Sequence, residues 1–233
     1  MLEVKGVHAS YGSARILSEV TLQVGAGEVV ALLGRNGAGK STTMKVVMGL
    51  VAATSGSILY RSALISGKAP FEIARMGLGY VPEDRRIFGS LTVDENLEMG
   101  RRTSRGQAAQ WTRERLYELF PNLASLRDRK GLQISGGEQQ MLTIARTLMG
   151  NPTTVLLDEP SEGLSPKIVE QLAKAILQIK GEGISIVLSE QNMHFAALVS
   201  DRAYVIEKGR IKYSGTIQDL QNDSEVRKAY LAL

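Results

Sequence analysis

Five consecutive apolar residues, Val29–Leu33, run directly into the octet Gly34-Arg35-Asn36-Gly37-Ala38-Gly39-Lys40-Ser41. An uninterrupted apolar run of this kind predicts a strand buried on both faces, as in sheets covered by further layers. The octet fits G-x-x-x-x-G-K-[ST], placed after a strand and ahead of a helix. Gly34, Gly37 and Gly39 let the backbone turn until successive N–H groups point into one concavity. The helix predicted from Lys40 to about residue 49, with Met44, Val47 and Met48 on one face, adds the partial positive charge of its N-terminus. Lys40 is then placed to reach the β- and γ-phosphates of a nucleotide, and the Ser41 hydroxyl is the expected Mg²⁺ ligand. This loop makes the chain α/β and nucleotide-binding. Alone it leaves kinases, GTPases and recombinase-like ATPases open.

A second apolar run, Val155-Leu156-Leu157, ends in the acids Asp158 and Glu159. Ligands of open α/β sheets bind at the carboxyl ends of the strands. Asp158 is there to orient Mg²⁺, directly or through water. Glu159 is there to polarise the attacking water as general base. The plainer reading, two acids capping the next helix, loses weight beside the phosphate loop.

The remaining pattern fits 233 residues organised as one α/β domain with an insertion. Strands are expected at 2–8, 16–24, 58–60, 78–81 and 185–188. A hairpin is expected from 202–207 and 211–214 around Lys208-Gly209. Between 85 and 150 strand texture vanishes. Leu116, Leu119 and Phe120 form one helical stripe, and Met141, Ile144, Ala145, Leu148 and Met149 another. That stretch reads as a helical lobe between core segments 1–84 and 151–233, with further helices at 168–179 and 224–233. The formal charge of +4 is mild: it accommodates phosphate and gives no reason to expect nucleic acid. The chain has no cysteine, so disulfides and thiolate metal sites are excluded. His8 and His194 read as unrelated scaffold residues. No apolar run reaches the roughly 18 to 20 residues of a membrane span, and the N-terminus lacks a signal-peptide layout. A cytoplasmic chain is expected, with any membrane role borrowed from a partner.

A third motif, Ile134-Ser135-Gly136-Gly137-Glu138-Gln139-Gln140, offers another set of backbone amides at a helix start. ISGGEQQ resembles the signature of ABC ATPases, usually written LSGGQ, and its place between the phosphate loop and LLDEP agrees. The resemblance covers essentially the whole chain. It implies the ABC fold of P-loop NTPases: a RecA-like mixed-sheet core with an antiparallel β subdomain and an inserted helical lobe. It also implies that Tyr11 stacks on adenine, that residues 34–41 with Thr42 hold the phosphates of ATP, and that Ser41 and Asp158 serve Mg²⁺. Ser135, Gly136 and Gly137, with Glu138 beside them, would contact the γ-phosphate held by a second ATPase subunit. ATP is then sandwiched between two subunits, and hydrolysis is coupled to dimer closure.

Three positions depart from the general ABC pattern. Glu83 stands where glutamine is usual, Ser165 where aspartate is, and Gln191 where a histidine switch is. One reading is a weakened catalytic site, since Gln191 carries no charge and Glu83 sets a carboxylate near phosphate. The other is a subfamily habit: VPEDRRIF, SGGEQQM, EPSEGLSP, SEQN and VRKAYL resemble the LivF-type ATPase of branched-chain amino-acid importers. The second reading is favoured, with Glu83 and Gln191 kept beside Glu159 and Lys40 as catalytic candidates. It implies a peripheral subunit on the cytoplasmic face of the inner membrane. The implied partners are a LivG-type ATPase (a homodimer in isolation being an alternative), two membrane permeases and a periplasmic or lipid-anchored binding protein. The lobe and the loop from Glu83 to Asn96 would receive a short permease helix. Arg85, Arg86, Arg101 and Arg102 read either as a solvated basic face or as a docking or lipid-proximal group. Related importers carry other amino acids, amides, urea or aromatic acids. A soluble ABC ATPase of repair, translation or regulation usually carries a second fused unit or a nucleic-acid-binding extension.

Overall fold

The computed structural model describes residues 1–102 and 110–231. Two sheets pack face to face. The first is antiparallel, in the order β2 (Ala14–Val24), β1 (Leu2–Tyr11), β4 (Ala53–Tyr60), β5 (Ala63–Leu64). The second has six strands, in the order β10 (Arg210–Thr216), β9 (Arg202–Glu207), β3 (Val29–Leu33), β8 (Ser185–Glu190), β7 (Thr154–Asp158), β6 (Leu78–Val81). All of its neighbours run parallel except β10, which returns as a hairpin on β9. This is the mixed-sheet core with an antiparallel partner sheet that the sequence resemblance implied.

The continuous apolar runs are explained by what covers each face. Along β3, Val29, Ala31 and Leu33 join one core cluster, whereas Val30 and Leu32 join the other. Val155 and Leu157 of β7 and Ile186 and Leu188 of β8 face the first cluster; Leu156 and Val187 face the second. The first cluster is closed by α6 (Gly136–Leu148), α7 (Pro166–Gly181) and α8 (Met193–Val199), and the second by the antiparallel sheet and α1 (Lys40–Val47). Each Val or Leu so enclosed contributes roughly 1.5–3 kcal/mol. Polar substitution on either face is therefore costly.

The short helices escaped the periodicity reading. α2 (Pro70–Met76), α8 and α9 (Ile217–Asn222) have six or seven residues each, too few for two turns of pattern. β4 begins at Ala53 rather than at Ile58, because Ala53 and Ser55 pair with Ala9 and His8 despite their small, non-alternating side chains. The last expected helix is present over its described residues: α10 (Ser224–Val226) widens into a π-helix over Arg227–Leu231. Positions 232 and 233 of that expectation lie outside the described residues.

Between 85 and 150 the described elements are helical: α3 (Val93–Gly100), α4 (Arg113–Leu119), α5 (Pro121–Ala124), a tight turn at Gly131–Gln133, and α6. Asn96, fully buried on α3, pins the loop that follows β6. Its Oδ1 accepts from Phe88 N at 2.9 Å, and its Nδ2 donates to Phe88 O at 2.9 Å and Thr92 O at 2.8 Å. Arg146 of α6 donates to the same Oδ1 at 3.4 Å. Replacing Asn96 with leucine preserves volume but strands these backbone groups, so urea unfolding is expected to show a loss of about 2–4 kcal/mol. A change under about 0.5 kcal/mol, the range of an ordinary surface substitution, would contradict this pinning role.

Candidate functional site

Helix α1 starts on Gly39, whose φ of 112° is left-handed. No side chain caps this helix, so its first N–H groups are available to an anion. Gly34 is required by space as well as flexibility, because a Cβ there would run into the Ile206 carbonyl. Tyr11, Asn36, Gly37, Gly39, Lys40, Ser41, Thr42, Glu83 and Glu159 line one cleft of about 400 Å³. Arg35 contributes its carbonyl to the base of the loop, and Ala38 is buried beneath it. Tyr11 ends β1 as a residue 48% exposed, accessible to a stacking partner.

Lys40 is only 3% exposed. Its ammonium donates to Gly34 O at 2.8 Å and Arg35 O at 3.1 Å, and lies 3.0 Å from Glu159 Oε1. The other oxygen, Glu159 Oε2, accepts from Gln191 Nε2 at 3.1 Å. Both carboxylate oxygens are thus held by groups from elements that follow different strands. Glu159 also has a φ of 45°, which a residue with a Cβ adopts at a cost of about 1–3 kcal/mol. Its N–H, bonded to Ser189 O at 3.0 Å, helps to hold that conformation.

Asp158 sits one residue earlier at the end of β7, 1% exposed. Its Oδ1 accepts from Ser41 Oγ at 3.0 Å and Ser189 Oγ at 2.6 Å, and its Oδ2 from Tyr80 OH at 3.0 Å. Burial first, then the Asp158 charge, push the Tyr80 phenol far above its ordinary value, so Tyr80 is the donor. The oxygen-only pair of Ser41 and Asp158 has the donor chemistry of a hard divalent cation.

Four residues of this cluster were not singled out from sequence. Tyr80 and Ser189 hold Asp158. Glu190 accepts from Ser161 N at 3.1 Å and Asn192 N at 3.2 Å, tying the turn after β7 to the turn after β8. Burial raises the Glu190 carboxyl above its ordinary value against those hydrogen bonds. Glu162 is likewise raised, first by burial and then by the charge of Glu159. A polar residue next to a buried apolar strand was the available signal for Ser189 and Glu190.

The signature residues lie apart from this cleft. Ser135 caps α6, with Glu138 N donating to its Oγ at 3.4 Å and its own N–H donating to Glu138 Oε2 at 2.7 Å. Gly136 faces Arg85: a Cβ there would lie 2.6 Å from the guanidinium. Arg86 instead pairs with Asp84 at 2.8 Å in solvent, so the two adjacent arginines have different surroundings.

The fold and this cleft define an ATP-hydrolysing cassette. Residues 17–162 match the family model described as ABC transporter, and the chain belongs to that family, as an ATP-binding subunit of a transporter. It is 43% identical over 231 residues, 99% of each chain, to the high-affinity branched-chain amino acid transport ATP-binding protein BraG of Pseudomonas aeruginosa. It is 36% identical over 233 residues, 99% of this chain and 97% of the other, to the lipopolysaccharide export system ATP-binding protein LptB of Haemophilus influenzae. Among solved structures, the ADP conformation of MJ1267, an ATP-binding cassette of an ABC transporter, superposes with a TM-score of 0.81 at 26% identity, covering 98% of this chain and 97% of that one. The expected resemblance to amino-acid importer ATPases is thus met, but exporter ATPases are similar as well.

The Lys40–Glu159 pair predicts a non-additive stability effect. Lys40→Met leaves a buried carboxylate without its cation and is expected to destabilise by about 3–5 kcal/mol. Adding Glu159→Gln is expected to restore most of that loss. Chemical denaturation of both single variants and the double variant measures it; purely additive losses would contradict the pairing.

Proposed function

We propose that this chain is one ATPase subunit of an importer for branched-chain amino acids, working with a second ATPase chain of LivG type and with membrane permeases. What carries the substrate reading is full-length identity of 43% to BraG. No described helix is long and apolar enough to cross a membrane, and in this reading the permeases supply the transport path. The groove between β6 and the helical lobe, about 410 Å³ and walled by Met48, Tyr80, Phe88, Met99 and Arg146, is a suitable seat for a permease helix. A solute-binding protein on the far side would deliver the cargo.

In the catalytic cycle the chain's own residues do the following. Tyr11 stacks on the adenine, and the N–H groups of residues 34–42 surround the phosphates. Ser41 and Asp158 would hold Mg²⁺, which neutralises phosphate charge when bound. Lys40 leaves Glu159 for the γ-phosphate oxygens. Glu159, still held by Gln191, then takes a proton from the attacking water, giving ADP and free phosphate. Glu83 faces the same cleft, where a bound divalent cation would offset the repulsion between its carboxylate and phosphate. Gln191 thus supplies orientation rather than charge, in keeping with the subfamily reading of its departure from histidine. The amides at 135–137 lie outside the lining of this cleft and, as the signature resemblance implies, would complete the site of a second subunit.

A lipopolysaccharide exporter is the second reading, carried by the 36% identity to LptB. Uptake by cells lacking the gene separates the two. Loss of labelled leucine, isoleucine and valine uptake, restored by the wild-type gene, is expected. Normal uptake together with a defect in lipopolysaccharide display would overturn the import reading.

A further inference from the structure

Asp158 holds its carboxylate between three hydroxyls, and they are not equivalent. Ser41 and Ser189 both address Oδ1, whereas Oδ2 has Tyr80 alone among the hydrogen bonds found for it. Without a donor on Oδ2 the carboxylate is held against rotation about its Cβ–Cγ bond at one oxygen only, through the two hydroxyls on Oδ1, and a rotated carboxylate no longer offers Oδ1 beside Ser41.

Tyr80 is suited to fix that rotation. It lies on β6, whose backbone is paired to β7 with Tyr80 in register with Leu156, two residues before Asp158. Its ring walls the groove at the helical lobe, alongside Phe88, Met99 and Arg146. Its other side borders a smaller cavity of about 220 Å³ that also contains Glu83 and Asp158. The ring, partly buried, packs against the second core cluster, and the hydroxyl is delivered to one oxygen. Groups that orient a metal-binding carboxylate in this way typically change metal affinity 10–100-fold when removed.

We propose that Tyr80 is a positioning residue for the Mg²⁺ of the nucleotide site, locking the Asp158 carboxylate so that Oδ1 stays beside the Ser41 hydroxyl. This rests on the reading of Ser41 and Asp158 as the Mg²⁺ residues. Through the same ring, the orientation of Asp158 is linked to the wall of the groove.

Tyr80→Phe removes the hydroxyl and keeps the ring. Binding of a fluorescent ATP analogue to the full-length chain is measured in EDTA and across a Mg²⁺ titration, with Asp158→Asn in parallel. For Tyr80→Phe the affinity in EDTA should match wild type and the melting temperature should fall by no more than the loss of one buried hydrogen bond to a carboxylate, while the Mg²⁺ concentration at half-effect rises on the order of 10-fold. An unchanged or lower Mg²⁺ requirement, with Asp158→Asn losing its Mg²⁺ response, would overturn the role of Tyr80 alone. If Asp158→Asn responds to Mg²⁺ like wild type, the reading of Asp158 fails and the proposal with it. An equal loss of affinity in EDTA would mark Tyr80 as structural support only and would also overturn it.

Discussion

The parallel pairing of β8 with β3 on one side and β7 on the other is the constraint on which the site depends. The registers place Leu33 beside Glu190 and Asp158 beside Ser189, so three strand ends stop at one level. Gly34 N donates to Glu190 O, and Glu159 N to Ser189 O, extending the ladder one step past the strands. From those ends come the phosphate loop, the acidic pair and the Gln191 turn. Slipping one strand by a residue would turn its buried side chains to the wrong face and separate Lys40 from Glu159. Packing on both faces of the sheet thus fixes the catalytic geometry.

Within that frame the Lys40–Glu159 contact is where the proposed mechanism couples binding to chemistry. A buried cation and a buried anion satisfy each other, and neither is well served alone. In the proposed cycle a polyphosphate entering the loop would offer Lys40 a better anion and release one oxygen of Glu159 for water, with Gln191 keeping the other oxygen in place. The strained backbone of Glu159 fits the same picture, since a relaxed conformation would point the carboxylate elsewhere.

Much of this was legible in the sequence because the signals are local. A glycine loop between an apolar run and a helix, and an apolar run ending in two acids, declare themselves within ten residues. The residues that hold them do not. Tyr80 reaches Asp158 across 78 positions and Ser189 reaches it across 31, contacts set by strand order. Strand order is a tertiary outcome with no local signature. The same holds for β4, where Ala53 and Ser55 are strand because β1 lies beside them. The differing environments of Arg85 and Arg86 were equally hidden, since both sit in left-handed backbone that no composition rule anticipates.

The central claim is that Glu159 activates water while Lys40 and the loop bind nucleotide, two tasks that one substitution should separate. Single-turnover hydrolysis by Glu159→Gln, with bound nucleotide recovered and identified, tests it most directly. The protein should retain MgATP affinity within a few-fold of wild type, and the bound nucleotide should remain ATP, with turnover reduced by about 10²–10⁴-fold. Wild-type release of ADP and phosphate by this variant would contradict the account.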